Sequence, residues 1–158
     1  MYAARYGCIE AVKLLLEHEK GMQCKSGKTA LMYAADDGHT EAAGFLLEHE
    51  KGAQDSDGQT ALMLAAYNGY PEVVALLLPH EKGLQDGNGE TALMLSAREG
   101  LAEVVKILAP HESGRFNNEG GCALMIAMEQ GHSDCVPHLL CELPCRDADG
   151  VPCAPGSS

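Results

Sequence analysis

"GKTALMYAADDGH" at residues 27–39 returns as "GQTALMLAAYNGY" at 58–70, "GETALMLSAREGL" at 89–101 and "GGCALMIAMEQGH" at 120–132, a step of 31 residues each time. Met1-Tyr2-Ala3-Ala4 repeats Met32-Tyr33-Ala34-Ala35, so the same frame runs to the first residue. A fixed period of this length marks an array of supersecondary units, none of which buries its apolar face alone. The frame divides the chain into a partial unit at 1–21, regular units at 22–52, 53–83 and 84–114, an atypical unit at 115–144, and a tail at 145–158 expected to be disordered.

Each unit reads as two helices. Thr29, Thr60 and Thr91 stand where a hydroxyl accepts from the free N–H groups of an opening turn. Gly38, Gly69, Gly100 and Gly131 close that first helix, since glycine takes the left-handed conformation at little cost. The second helix carries Glu41, Glu72, Glu103 or Asp134 in its first turn, where the helix dipole favours an anion. Pro71 suits the same turn. Pro79 and Pro110 fall near the end of the second helix and are expected to help terminate it. Pro137 falls inside the expected second helix of the atypical unit, where proline costs about 3 kcal/mol. The pairs Ala34-Ala35, Ala65-Ala66 and Ser96-Ala97 let neighbouring first helices approach closely. Stacked in this way, the units share one continuous core. The expectation is an all-α solenoid.

The second helices end in "LLLEHEKG" (14–21), "FLLEHEKG" (45–52), "LLLPHEKG" (76–83) and "ILAPHESG" (107–114). A recurring His-Glu-Lys cluster raises the prospect of metal binding or acid–base chemistry. Packed helices lie about 8–10 Å apart, whereas zinc–nitrogen bonds are near 2 Å, so His18, His49, His80 and His111 are poorly spaced to share an ion. No His-Glu-x-x-His forms either. The adopted reading is structural, with His and Lys complementing the negative end of a helix dipole.

With 23 acidic against 11 basic residues, the formal charge is −12. That balance argues against nucleic acid, whose phosphates require clustered Lys and Arg, and against an anionic membrane surface. No apolar run approaches the length of a membrane span, and the N-terminus lacks the pattern of a signal peptide. Cysteines 8, 24, 122, 135, 141, 145 and 153 form no Cys-x-x-Cys, and free thiols of a reducing cytoplasm are the expected state. Zinc held by His138, Cys141 and Cys145 is a weighed alternative, set aside because the second knuckle of a structural site is missing. Neither a phosphate loop, a nucleophile elbow nor a dinucleotide fingerprint occurs. No catalytic residue, metal or cofactor is therefore expected.

Against the constant frame, a few positions change from unit to unit. They are the pairs before the first-helix glycine: Arg5-Tyr6, Asp36-Asp37, Tyr67-Asn68, Arg98-Glu99 and Glu129-Gln130. Turn residues Lys25, Ser26, Lys28, Ser56, Asp57, Gln59, Asn88 and Glu90 vary with them. Packing accounts for the constant residues and leaves the variable ones for recognition.

The consensus G-x-T-A-L-M-x-A-A-x-x-G-H-x-E-V-V-x-L-L-L resembles the ankyrin repeat. It departs in Ala30 and Met32, where that family usually shows Pro and His, and in a period of 31 rather than about 33. The resemblance implies an ankyrin-type helix-turn-helix solenoid of about five units, with shortened finger turns. The "TALM…HEKG" wording also resembles an expanded set of ankyrin-repeat proteins in diplomonad protozoa, some joined to kinase-like domains. In ankyrin proteins the positions matching the variable residues line a concave groove. The resemblance thus implies that Arg5, Tyr6, Lys28, Asp36, Asp37, Gln59, Tyr67, Asn68, Glu90, Arg98, Glu99, Glu129 and Gln130 contact another protein. Tyr6, Tyr67 and Arg98 are the expected anchors, and the acids point to a basic or polar partner. The chain is expected to be a cytoplasmic monomer that works by protein–protein binding. The alternative is the repeat arm of a larger scaffold or kinase-like protein.

Overall fold

The structure, a computed structural model, describes residues 1–19 and 21–140. Ten helices and no strands occur among them: α1 (Tyr2–Arg5), α2 (Ile9–Glu19), α3 (Ala30–Asp36), α4 (Thr40–Glu50), α5 (Ala61–Asn68), α6 (Pro71–Glu81), α7 (Ala92–Arg98), α8 (Ala102–Glu112), α9 (Ala123–Gln130) and α10 (Val136–Leu139). First helices stack in the order α1, α3, α5, α7, α9, and second helices in the order α2, α4, α6, α8, α10. Each first helix also packs on its own second helix. No helix among the described residues is long and apolar enough to cross a membrane. The tail, with Cys145 and Cys153, lies outside the described residues, as does Cys141 of the atypical unit.

The first helices form because capping and burial agree. Thr29, Thr60 and Thr91 accept from the backbone N–H of Met32, Met63 and Met94 at 3.3, 3.3 and 3.4 Å. Met32 Sδ in turn accepts from Thr29 N–H. In α5 every residue from Ala61 to Ala66 is buried, because one side meets α3, another α7 and a third α6. Burying a side chain such as Leu62 or Leu77 stabilises the fold by about 2 kcal/mol. The small pairs behave as expected: Ala34, Ala35, Ala65, Ala66, Ser96 and Ala97 are all 0% exposed. Gly69 closes α5 at φ 78°, ψ 44°, a left-handed conformation that a residue with a Cβ adopts only at a cost.

Second helices differ from expectation at their prolines. Pro79 and Pro110 do not end α6 and α8, which continue to Glu81 and Glu112. Both prolines are exposed on the outer side. The helix continues because its last glutamate has bonds to make in the interior. Pro137 is not interior either. The last second helix starts late, and α10 takes Pro137 into its first turn, where a missing N–H is harmless.

Those last glutamates decide what the octapeptide does. Glu50, Glu81 and Glu112 are 4%, 2% and 1% exposed. One carboxylate oxygen accepts from the N–H of Leu31, Leu62 or Leu93 at 2.7–2.9 Å, inside the first turn of the same unit's first helix. The other accepts from Gly21, Gly52 or Gly83 N–H at 3.2, 2.9 and 2.7 Å, at the end of the preceding unit. Each anion therefore sits at the positive end of a helix dipole and ties two units together. For Glu81, burial pushes the carboxyl up from its ordinary value, opposed by the N–H donors of Gly52 and Leu62 and the Thr60 hydroxyl. His49, His80 and His111 occupy the last turns and face solvent.

The turns between units form a second ladder. Asp55 Oδ1 accepts from Asp57 and Gln59 N–H, and Asp86 and Asn117 do the same in the following turns. Each turn then joins the one before it, through Ser56 N–H to Ser26 O, Gly87 N–H to Asp57 O and Asn118 N–H to Asn88 O, at 2.9–3.0 Å. The loop closes from Asp55 N–H to Gln59 O at 3.0 Å, a compact finger without strands.

Candidate functional site

The variable pairs stand at the C-terminal ends of the first helices, where the stack arranges them in a row. Cross-unit bonds fix that row at its N-terminal half. Arg5 Nε lies 3.7 Å from Asp37, and Asn68 Nδ2 donates to Asp36 Oδ1 at 2.8 Å. Lys28 Nζ approaches Asp36 at 3.9 Å. His39 Nε2 meets Arg5 O at 2.9 Å, and His132 Nε2 meets Arg98 O at 2.8 Å, so where the residue after the closing glycine is His it ties its unit to the end of the preceding first helix. The structure thus brings Arg5, Lys28, Asp36, Asp37 and Asn68 into one connected set.

Solvent reaches the aromatic members, with Tyr6 70% and Tyr67 48% exposed. Asp37, Asn68, Glu99, Glu129 and Gln130 are exposed, whereas Lys28, Asp36 and Gln59 are half-buried.

Glu90 departs from its expected place among solvent-facing turn residues. It is 4% exposed, lying beneath the Arg98 guanidinium, whose Nη1 and Nη2 both donate to it. That forked pairing holds the Arg98 charge still more firmly than usual. Arg98 therefore serves first as the cover of a buried carboxylate, and the Glu90 carboxylate is withdrawn from the surface.

One chemically distinctive residue escaped the sequence reading. Cys24 aligns in the frame with Asp55, Asp86 and Asn117, the side chains that accept N–H groups inside their turns. Its thiol lies 3.0 Å from Ser26 Oγ and 3.6 Å from the Tyr33 hydroxyl. Those two contacts, with smaller help from the backbone, lower its pKa to about 7. The signal was available in the alignment, as a cysteine at a position that otherwise takes Asp or Asn. Cys122 and Cys135 are buried among apolar side chains. Among the described residues no three His, Cys, Asp or Glu side chains come together in a way that would hold a metal ion.

A family profile described as ankyrin repeats (three copies) matches residues 1–85 and 76–149. The chain is an ankyrin-repeat protein. No curated protein matches it. Ankyrin repeats are in general protein-interaction modules, and this ankyrin-repeat protein keeps that architecture while replacing the family's usual Pro and His by Ala30 and Met32. Buried glutamates, rather than the motif histidine, lie against the start of α3, α5 and α7.

Proposed function

We propose that this ankyrin-repeat protein binds another protein, without catalysis, through the row of variable residues on its concave side, and that it does so as a cytoplasmic monomer. The observation carrying this reading is the division of labour within α5. Residues 61–66, constant or nearly so between units, are all buried, while Tyr67 and Asn68, which change from unit to unit, are exposed. In α7 residues 92–97 are likewise buried ahead of a half-buried Arg98 and an exposed Glu99, whereas in α9 the constant Met125 is exposed together with Glu129 and Gln130.

The test is affinity capture from the source cell with three proteins in parallel. They are the parent, a groove variant (Tyr67→Ala with Glu99→Ala) and an outer-face control (Glu72→Ala with Lys106→Ala). Arg98 stays intact, because removing it strands Glu90. A partner retained by parent and control but lost with the groove variant supports the proposal. Equal retention by all three rejects it.

A second reading, the repeat arm of a larger assembly, has one observation in its favour. At the N-terminal end Tyr2 and Leu14 are 80% and 76% exposed, and Leu15, Leu16, Val12, Met22 and Leu46 line an apolar cavity of about 370 Å³. Apolar dye binding abolished by fusing one further repeat ahead of Met1 would support it. Unchanged dye binding would count against it.

A further inference from the structure

Three cations along the groove have an internal partner, and Lys25, exposed on its turn, forms no ion pair among the described residues. Arg5 is paired with Asp37, Lys28 with Asp36, and Arg98 with Glu90. Asp36 further accepts from Asn68. The acids expected from sequence to attract a basic partner therefore divide in two. Asp36 and Asp37 are satisfied by the protein itself. Glu99 and Glu129 are exposed, and among the described residues no ion pair reaches either.

Their placement on the helices is the second part of the argument. Glu99 is the C-cap of α7, and Glu129 lies in the last turn of α9. A helix C-terminus carries partial negative charge, so an acid there is electrostatically unfavourable and a cation favourable. At the equivalent end of α3, Arg5 from the preceding unit relieves Asp37. At α7 the Arg98 guanidinium stands beside Glu99 but is already held by Glu90, and among the described residues no ion pair forms at the end of α9. Asp57 is exposed on the turn ahead of α5, in the N-terminal half, where Lys25 on the turn ahead of α3 is exposed as well.

We infer that the C-terminal half of the groove receives a partner segment bearing Lys or Arg, while the N-terminal half, neutralised from within, offers Tyr67 and Tyr6 to apolar or aromatic side chains. This deepens the proposed function and rests on it. Docking is thereby directional: the basic end of the segment lies over α7 and α9, and its uncharged end over α3 and α5. Neighbouring first helices are about 10 Å apart, which an extended segment spans in about three residues. Two cations at that separation match Glu99 and Glu129. A second copy of this chain, at formal charge −12, is a poor occupant, and so is a polyanion.

Random linear peptides displayed on phage, selected on the intact protein, test the inference without a known partner. Parallel selections use Glu99→Gln/Glu129→Gln and Tyr67→Ala, each first shown to melt like the parent. The expected result is an excess of Lys and Arg, paired about three residues apart, in peptides whose binding falls about tenfold with Glu99→Gln/Glu129→Gln and weakens with added salt. Peptides lost with Tyr67→Ala but carrying no basic excess would keep the groove and overturn the charge assignment. An excess of acidic residues would overturn it as well. Peptides indifferent to both variants, or no selection above background, would count against the groove reading itself.

Discussion

Glu81→Gln changes one atom type at the centre of the stack, and its effect follows from two hydrogen bonds. In the parent, Glu81 receives Gly52 N–H at 2.9 Å and Leu62 N–H at 2.8 Å while 2% exposed. Glutamine keeps one acceptor and turns a donor towards the other N–H. One buried donor then lacks an acceptor, at a cost of about 1–3 kcal/mol. Relief from burying a charge offsets part of that, leaving a net loss of about 1–2 kcal/mol. Glu81→Ala bares both N–H groups and opens a void, so about 3–5 kcal/mol is expected. Against a total stability of roughly 5–15 kcal/mol for a domain, both losses are readable as shifts in a urea transition followed by circular dichroism. The pH dependence has a definite sign. Burial raises the folded-state pKa above the ordinary 4.5, so between the two values the folded chain holds a proton the unfolded chain has lost. The Glu81 contribution is therefore fully present below the ordinary value and declines as pH rises through the raised one. The parent's advantage over Glu81→Gln should shrink from mildly acid towards neutral pH. Glu81→Gln within about 0.5 kcal/mol of the parent at every pH would show that the carboxylate does not join the units as described.

Arg98→Ala should cost about 2 kcal/mol by stranding the Glu90 carboxylate, and adding Glu90→Ala should restore part of it. A double-mutant cycle in urea reads the coupling, and strict additivity would contradict the pairing. Cys24 should be alkylated ahead of the buried Cys122 and Cys135, with a rate that rises through a midpoint of about 7. Ser26→Ala should move that midpoint upward, as peptide mapping by mass spectrometry can follow, and an unmoved midpoint would remove the Ser26 hydroxyl as its cause.

Much of this fold was legible because its determinants are local. A threonine ahead of an apolar run, a glycine after it and paired small residues act within a turn or two, and the frame repeats them until chance agreement is implausible. The buried glutamates were not legible for the opposite reason. Glu50 stands beside His49 and Lys51 in a last helical turn, where exposure is the ordinary expectation, yet its partners lie 19 and 29 residues earlier. Its persistence as Glu81 and Glu112 was visible, but constancy also fits a solvent-facing role. Pro79 and Pro110 lie in the last turn as expected but do not end the helix, and only the inward glutamate shows why it continues past them. Glu90 and Arg98 are eight residues apart on a turn and a helix end, a separation that no helical spacing rule relates. The proposed groove residues were picked out by their variability. Which of their charges remain open became apparent only with the pairs in place.

The ladder of turns also bears on how such a protein changes length. Ser56 bonds Ser26, Gly87 bonds Asp57 and Asn118 bonds Asn88 through backbone atoms alone. Glu81 meets Gly52 as Glu112 meets Gly83. Excising residues 53–83 would therefore present Glu112 with Gly52 in place of Gly83 and rejoin like with like at each rung. A lineage carrying this module can gain or lose a whole unit in one recombination, changing the variable pairs while leaving the backbone and glutamate bonds of the seams as they were.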